Sequence, residues 1–369
     1  MKKVNVKRLA GVIAAGILIA IIVIKLVTFL VALILGVKIV DTGKTITPSV
    51  VSEHDFDEYG DQIAVVNSKG IEFYDNKGNY NSDVAFKIYS PFIYSKENYA
   101  AIADVGSPNV LVFKGAKQAY KIAEQEPVSA ASVNKNGYSA VITNESGYKS
   151  SVVIHDNIGR EIYTWYSGDL YVADVKVSDN NKRFAVVGID TEDSLKSVVK
   201  LFKIKDSEPY AEVIFDSELA YQLEYRGNNV VVITDKQVGL ISSGGKLKKS
   251  YNFGGQTLLC FDIKNASKPV LALDDKESAG SKVVILGSSL RERGSCAIEG
   301  QAKMVDENDG STVVSNGDKI YLIGSAGGLK AQGQLNKDAE NIKFSNDKKH
   351  IFTLAGSTLG VYEVKYGRE

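Results

Sequence analysis

The 369-residue chain carries 44 basic and 44 acidic side chains, so its formal net charge at neutral pH is zero. This balance excludes the basic excess or basic stripe that marks most nucleic-acid-binding proteins. With only two cysteines, Cys260 and Cys296, and three histidines, the chain lacks the clustered ligands of a structural zinc site. The sequence leaves open whether the two cysteines pair.

The N-terminal 37 residues are typical of a membrane anchor. Residues 1–8 hold four basic and no acidic side chains, and residues 9–37 form an apolar run in which Lys25 is the only charge. A helix needs about 20 apolar residues to cross the hydrocarbon core, and the apolar core of a cleaved signal peptide is shorter than this run. We predict a cytoplasmic tail, an uncleaved signal anchor and an extracytoplasmic domain, as the positive-inside rule requires. The protein would then cross the cell membrane once.

Lys25 has two interpretations. A charge within a membrane span often marks a contact with a partner helix. Alternatively, the span ends near Phe29 and the Lys25 ammonium reaches the outer headgroups. We favour the second interpretation and keep Lys25 as the candidate intramembrane partner contact.

After a juxtamembrane segment, residues 38–49, one supersecondary unit repeats eight times within residues 50–366. Each copy has a strand, a polar turn and a strongly apolar strand, as in VSDNNKRFAVVG at 177–188 and FSNDKKHIFTLA at 344–355. A third apolar strand and a weaker fourth follow, so a unit of about 40 residues matches one blade of a β-propeller. The last copy ends after about three strands. We therefore predict that residues 39–46 supply its outer strand; the alternative is an open or seven-bladed ring with 38–49 as a linker.

The turns at 177–188 and 344–355 resemble the corresponding turn of WD40-like bacterial propellers. The whole chain resembles a poorly characterised bacterial family of membrane-anchored WD40-like β-propeller proteins. This resemblance implies an all-β fold with seven or eight blades, eight being favoured, behind one N-terminal transmembrane helix. Because the Gly-His and Trp-Asp dipeptides of strict WD40 repeats are missing, the resemblance implies the architecture of the domain but no particular activity.

The sequence offers no catalytic set. The histidines, at positions 54, 155 and 350, are scattered, and we interpret each as a packing or surface residue. The run Asp306 to Gly310 alternates oxygen ligands with a glycine but lacks the bidentate glutamate of calcium loops, which favours a solvated turn. We predict no catalytic residue, no cofactor and no metal site. A glycosidase or lyase with paired acids at the central pocket is the alternative.

The leading functional hypothesis is a non-enzymatic scaffold in the cell envelope that binds a protein or an envelope polysaccharide. Tyr163, Trp165 and Tyr166 lie on one predicted outer strand and form the candidate interaction surface, because aromatic side chains dominate binding hot spots. Packing of these rings on the blade edge is the competing interpretation. A third hypothesis is an envelope sensor or assembly subunit that works through a partner transmembrane helix.

Overall fold

The computed structural model describes residues 36–49, 55–192, 194–275 and 279–366, which form a closed ring of β-sheet. Their 32 strands make eight four-stranded antiparallel sheets, the blades of an eight-bladed propeller. The prediction of an all-β propeller with eight blades is thereby confirmed. The predicted anchor and Lys25 lie outside the described residues, except for the last two positions of the apolar run. Within the described ranges, no helix has the length and apolar character needed to cross a membrane.

The strands follow one another blade by blade. Blade 1 contains β2 (Asp55–Tyr59), β3 (Gln62–Asn67), β4 (Gly70–Asp75) and β5 (Tyr80–Ala85), and blade 2 contains β6 (Pro91–Lys96), β7 (Tyr99–Asp104), β8 (Asn109–Lys114) and β9 (Lys117–Ala123). Blade 3 contains β10 (Val128–Val133), β11 (Ser139–Thr143), β12 (Ser150–His155) and β13 (Glu161–Ser167), and blade 4 contains β14 (Tyr171–Val177), β15 (Arg183–Asp190), β16 (Lys196–Lys203) and β17 (Ala211–Asp216). Blade 5 contains β18 (Ala220–Arg226), β19 (Asn229–Thr234), β20 (Gln237–Ile241) and β21 (Leu247–Asn252), and blade 6 contains β22 (Leu258–Asp262), β23 (Val270–Asp275), β24 (Gly280–Leu286) and β25 (Glu292–Ile298). Blade 7 contains β26 (Met304–Asn308), β27 (Ser311–Ser315), β28 (Lys319–Gly324) and β29 (Leu329–Gln334), and blade 8 contains β30 (Asn341–Phe344), β31 (His350–Ala355), β32 (Thr358–Tyr366) and β1 (Val37–Ile46).

The second strand of each blade has an apolar central run because neighbouring blades cover both of its faces. Ala185, Val186 and Val187 in β15 show this, since all three are fully buried. Ala185 and Val187 pack with blade 5, whereas Val186 packs with blade 3. The hydrophobic core is therefore a set of layers between blades.

The repeated polar turn has a common hydrogen-bond pattern. In blade 4 the Ser178 hydroxyl donates to Asn180 Oδ1 at 2.8 Å, and in blade 8 the Ser345 hydroxyl donates to Asp347 Oδ1 at 2.6 Å. The residue after the bonded Asn or Asp has a positive φ, 58° at Asn181 and 55° at Lys348. A side chain that holds its own turn explains why Ser, Asp and Asn recur there.

These turns define two ends of the ring. The turn face carries the turns between first and second strands, at residues 60–61, 97–98, 134–138, 178–182, 227–228, 263–269, 309–310 and 345–349. The loop face, at the opposite end, carries the turns between second and third strands and the connections from one blade to the next.

Blade 8 combines the two ends of the described chain. β1 pairs antiparallel with β32, from Val37 opposite Tyr366 to Ile46 opposite Leu359, with one irregularity between Asp41 and Lys44. The start of β1 packs against blade 7 through Val37, and its end packs against blade 1 through Ile46. The N-terminal strand thus supplies the outer strand of the last blade and closes the ring.

Cys260 and Cys296 lie in one row across blade 6. Cys260 is opposite Ala272, Ala272 is opposite Val283, and Val283 is opposite Cys296. Three strand spacings separate the cysteines by roughly 14 Å, whereas a disulfide needs Cα atoms within about 7 Å. Both cysteines are free.

Candidate binding site in the central channel

The first strands of all eight blades line a central cavity of about 450 Å³. Its wall is divided by chemistry. Blades 2 and 3 contribute apolar side chains, among them Phe92, Ile93, Ala130 and Ala131. Blades 1, 4, 6, 7 and 8 contribute charged side chains, which are Asp55, Asp57, Asp174, Lys176, Asp262, Lys264, Asp306 and Lys343. The channel therefore has a charged wall that an apolar sector interrupts at blades 2 and 3.

Asp57 is the centre of a charged cluster contributed by blades 1, 6, 7 and 8. Lys264 Nζ lies 2.9 Å from Asp57 Oδ2, and Lys343 Nζ lies 3.0 Å from Asp57 Oδ1. Lys343 also reaches Asp306 Oδ1 at 3.4 Å, and the Ser95 hydroxyl donates to Asp57 Oδ2 at 2.7 Å. These contacts join blades 1, 2, 6, 7 and 8 through their side chains.

Burial and the lysine charges shift the pKa values of the carboxyl groups in this cluster in opposite directions. Burial alone would raise the pKa of Asp57, but the ammonium groups of Lys264 and Lys343 outweigh it and hold that pKa well below the usual range of an aspartate. Burial raises the pKa of Glu58 to about 8, since it outweighs the attraction of Lys264. Burial likewise raises the pKa of Asp306, in spite of the charge on Lys343. At neutral pH the cluster therefore contains both an ionised aspartate and a largely protonated glutamate.

On the other side of the channel, Glu224 has a similar position. The Tyr94 hydroxyl donates to Glu224 Oε2 at 2.7 Å, and Lys96 Nζ lies 3.4 Å from the same oxygen. Lys96 Nζ also donates to the Lys264 carbonyl oxygen at 2.9 Å. Burial raises the pKa of Tyr94, and the charge on Glu224 adds to this effect. These bonds run across the ring, from blade 2 to blades 5 and 6.

Most channel aspartates also form a hydrogen bond to the next blade, which we call an interblade staple. An aspartate on one first strand accepts a hydrogen bond from a backbone N–H on the first strand of the next blade. The staples are Asp55 to Ile93 at 3.1 Å, Asp57 to Ser95 at 3.0 Å, Asp174 to Leu223 at 3.0 Å, Asp262 to Glu307 at 2.7 Å and Asp306 to Phe344 at 2.8 Å. They satisfy backbone donors that no strand partner reaches.

The staples bear on the glycosidase or lyase alternative. Asp55, Asp57, Asp174 and Asp306 do lie at the centre of the ring, as that alternative requires. Each of them, however, is fixed by a backbone donor of the next blade, and two are also paired with Lys343. This arrangement supports a structural role for the acids and provides no positive sign of catalysis.

The structure separates the three residues of the predicted interaction surface. The Tyr163 ring packs on Phe184 at 4.9 Å between centroids, and Trp165 packs on Phe202 at 5.0 Å, so both belong to the layer between blades 3 and 4. Tyr166 lies on the other side of the strand, 49% exposed, with its ring 5.0 Å from that of Tyr148. Of the three side chains, Tyr166 is the one that is open to a partner.

Two of the three histidines can be placed. His155 is buried between blades 2 and 3, with Nε2 3.6 Å from Glu124 Oε1; burial lowers the pKa of His155 to about 4 and raises that of Glu124 to about 7. His350 Nδ1 lies 2.9 Å from Asp347 Oδ2 within its own turn. Neither histidine faces the channel. His54 lies outside the described residues.

The acidic run Asp306 to Gly310 is occupied by protein groups. Asp306 pairs with Lys343, Glu307 accepts from Asn265 at 3.0 Å, and Asp309 pairs with Lys268 and Lys348 at 2.9 and 2.7 Å. Across the part of the chain that the structure describes, no group of three His, Cys, Asp or Glu side chains is arranged to hold a metal ion.

The two faces of the ring differ in character. Amide side chains join neighbouring turns on the turn face: Asn136 donates to the Asp179 carbonyl at 2.6 Å, Asn180 to Asn228 at 3.0 Å, and Asn346 to the Gly60 carbonyl. The loop face carries the exposed large apolar side chains Tyr89, Val105, Tyr148, Tyr166, Tyr171, Leu195 and Tyr221. The turn face exposes others, but at its outer turns and strand ends, which are Tyr80, Ile158, Leu247, Leu329 and Tyr366. Tyr221 stacks on Phe261 at 6.1 Å, and both also line the channel, so the aromatic face is continuous with the cavity.

A larger cavity, of about 570 Å³, lies between blades 8 and 1. Glu72 in its wall accepts hydrogen bonds from Ser49 at 2.6 Å, Asn67 at 2.9 Å and the Tyr74 hydroxyl. The wall satisfies its own carboxylate, as the channel wall does, and most of the exposed tyrosines lie on the loop face. We therefore regard the loop face, with the channel mouth that it surrounds, as the better candidate site.

Sequence reasoning missed the staples and the aromatic loop face. The staples could have been predicted from the sequence, because an aspartate recurs within the first strand of several repeats, as in DFDEY at 55–59 and MVDEN at 304–308. No sequence pattern predicts the aromatic loop face, since its tyrosines come from different blades and only the closed ring brings them together.

Comparison with known proteins supports the fold. A family described as a family of unknown function, DUF5711, matches residues 38–361. None of the curated proteins matches the chain. Among solved structures, BamB from Moraxella catarrhalis is similar at a TM-score of 0.55, covering 88% of this chain and 99% of its own at 9% sequence identity. At that identity the similarity shows the propeller fold alone.

Proposed function

The chain belongs to DUF5711, a family of unknown function, and on this premise we propose a non-enzymatic binding scaffold that holds a protein partner on its loop face in the cell envelope. The observation that carries the proposal is the contrast between the two faces. On the turn face, amide groups join the inner turns of neighbouring blades, whereas the loop face exposes tyrosines from its rim to the channel mouth.

Tyrosine suits a binding surface for physical reasons. It buries a large ring at the cost of few rotatable bonds, and its hydroxyl keeps a hydrogen bond when the ring is covered. Tyr89, Tyr148 and Tyr171 are 69%, 49% and 52% exposed, so a partner would remove much ring surface from water. The Lys149 ammonium lies 5.5 Å from the Tyr171 ring and adds a charged contact at the same place.

The envelope location is supported by the sequence. The apolar run 9–37 and the basic tail before it are typical of a single-pass anchor. Since Val37 lies opposite Tyr366, such an anchor joins the ring at the outer edge of blade 8 and leaves the channel mouth unobstructed by its own strand.

A second candidate function, an assembly subunit that works through a partner helix, depends on Lys25. Lys25→Leu keeps the span apolar and removes the charge. If complexes isolated from membranes are the same with this variant, the helix contact loses its support.

Site-specific photocrosslinking in the full-length chain, in its own membranes, tests the scaffold. A photoreactive residue at Tyr148 or Tyr171 is expected to capture the same protein, and the same probe at Lys182 or Asn228 on the turn face is expected to capture none. Mass spectrometry of the adducts identifies the partner. Equal capture from both faces, or no protein adduct from the loop face, contradicts the proposal; in the second case an envelope polysaccharide becomes the partner to examine.

A further inference from the structure

The chain enters the ring from the predicted anchor at a defined place. Residues 30–37 carry no polar side chain, so the chain favours contact with lipid up to Val37, where β1 begins. Val37 pairs with Tyr366 at the end of β32, and β32 starts after the loop-face turn at residues 356–357. Since a strand crosses its blade from one face to the other, Val37 and Tyr366 lie on the turn-face side of blade 8.

Three other parts of the ring border this entry point. β29 borders the start of β1, since Ala331 belongs to the cluster on which Val37 packs. The turn at residues 345–349 borders the end of β32, since the Val364 N–H donates to the Lys349 carbonyl at 2.7 Å. We call this surface the anchor edge, and it comprises residues 37–38, 329–330, 345–349 and 363–366.

The anchor edge is both apolar and basic. Leu329 and Tyr366 are 48% and 53% exposed. Its charged side chains are five lysines and two acids, which are Lys38, Lys330, Lys348, Lys349 and Lys365 against Asp347 and Glu363. The Asp347 carboxylate is engaged within its own turn, because it accepts hydrogen bonds from the Ser345 hydroxyl and the Lys349 N–H. Tyrosines and lysines beside an apolar span are typical of residues that lie at the level of the lipid headgroups.

The two faces of the whole ring differ in charge in the same sense. The described segments that join strands at the turn face hold 11 basic and 8 acidic side chains, whereas those at the loop face hold 6 basic and 11 acidic ones. A basic surface is attracted to anionic headgroups, and an acidic surface is repelled by them. The charges therefore favour the same orientation as the position of Val37.

We propose that the turn face is directed toward the membrane and that the anchor edge rests on anionic lipid headgroups. The loop face then points away from the bilayer, and a loop-face partner binds on the side of the ring opposite the membrane. This inference rests on the envelope location proposed above, and it adds which surface of the ring contacts lipid and which lipids that surface selects.

The test uses the full-length chain in nanodiscs, with Cys260→Ala and Cys296→Ser and a fluorophore on one new cysteine. The nanodiscs contain phosphatidylcholine alone or an equal mixture with phosphatidylglycerol, and a lipid that is spin-labelled on its headgroup quenches a nearby fluorophore. With Tyr366→Cys or Leu329→Cys, we expect most of the fluorescence to be lost in the mixture and less in phosphatidylcholine alone. The matched control is Tyr171→Cys on the loop face, since Tyr171 is 52% exposed, and we expect it to keep its fluorescence in both.

Charge reversal tests the contact with the headgroups. Lys330→Glu with Lys349→Glu is expected to restore much of the fluorescence of Tyr366→Cys in the mixed nanodiscs. The same reversal on the loop face, Lys87→Glu with Lys337→Glu, is expected to leave it quenched. Urea unfolding of these exposed-site variants is expected to give the midpoint of the unaltered chain.

Equal quenching of Tyr366→Cys and Tyr171→Cys, quenching of Tyr171→Cys alone, or quenching of neither overturns the orientation. Quenching of Tyr366→Cys that is the same with and without phosphatidylglycerol overturns the contact with anionic lipid. A membrane wash with alkaline carbonate separates this inference from the anchor. If the chain is retained but Tyr366→Cys is not quenched, the orientation fails and the envelope location stands; if the chain is released, both fail.

Discussion

The carboxylate of Asp306 accepts a hydrogen bond from the backbone N–H of Phe344, 2.8 Å away on the first strand of the next blade. Four further bonds of this kind occur at three other blade contacts in the described ring. Packing between blades is non-directional, but these bonds fix the height of one first strand against the next. The role of the channel acids is therefore primarily structural.

Asp57→Ala is expected to lower the free energy of unfolding by about 3 kcal/mol. The substitution leaves Lys264 and Lys343 without the carboxylate that both of them contact, and breaking a buried ion pair on one side is strongly destabilising. Urea unfolding followed by fluorescence measures the effect. Asp179→Ala removes an exposed pair with Lys135 and is expected to change stability by less than about 0.5 kcal/mol. Equal effects of the two substitutions would contradict the central role of Asp57.

Glu58→Gln is expected to stabilise the protein at pH 8 more than at pH 5. Because burial raises the pKa of Glu58 from 4.5 to about 8, the folded state retains a proton that the unfolded state has released between these values. The stability of the unaltered chain therefore falls as pH rises through this window, and glutamine removes that loss. Unfolding of both chains across the window gives the difference. Asp61→Asn, an exposed carboxylate on the adjoining turn, is the control; a pH-independent difference for Glu58→Gln would contradict the prediction.

Both cysteines are expected to be free thiols in the purified protein. In the folded state Cys296 is expected to react with a maleimide well before Cys260. Burial raises the pKa of Cys260 to about 12 and affects that of Cys296 less, so less of the reactive thiolate is present at Cys260. Peptide mass spectrometry after timed labelling measures the order. Detection of a Cys260–Cys296 disulfide would contradict the position of the two residues at opposite sides of blade 6.

Trp165→Ala is expected to destabilise the domain by about 2 kcal/mol, because the half-buried indole packs on Phe202. Tyr166→Ala, the neighbouring substitution, is expected to stay within about 0.5 kcal/mol, as for other exposed positions. Thermal unfolding compares them. Unchanged stability of Trp165→Ala would restore Trp165 to the candidate interaction surface.

Ile46→Ala is expected to lower the free energy of unfolding by about 3 kcal/mol, since this residue is 4% exposed and belongs to the same hydrophobic cluster as Phe56, where the ring closes. Thr45→Ala, at the exposed position before it, is expected to have little effect. Urea unfolding measures both. If the two variants are equally stable, β1 does not hold the ring in solution.

The sequence predicted the fold in detail because a propeller repeats its local rules. The turn at 177–188 returns at 344–355 with the same Ser-to-Asn or Ser-to-Asp bond, and three strands in the last repeat implied a fourth from elsewhere. The candidate site was harder to predict. Trp165 and Tyr166 are adjacent in sequence, yet one packs inside and the other faces out, because successive residues of a strand point to opposite faces. The loop-face tyrosines are brought together only by the curvature of the ring, which no local pattern encodes.

The pairing of β1 with β32 also determines when this protein can finish folding. The Thr42 hydroxyl donates to the Val361 carbonyl at 2.6 Å, a bond between residues 319 positions apart. During synthesis β1 emerges before every other strand of the ring, and its partner β32 is the last strand to be made. A chain that is cut short leaves β1 and blade 7 with uncovered edges, open to proteases and chaperones. Ring closure therefore depends on synthesis of the last strand: β1 is paired only in a chain that extends through β32.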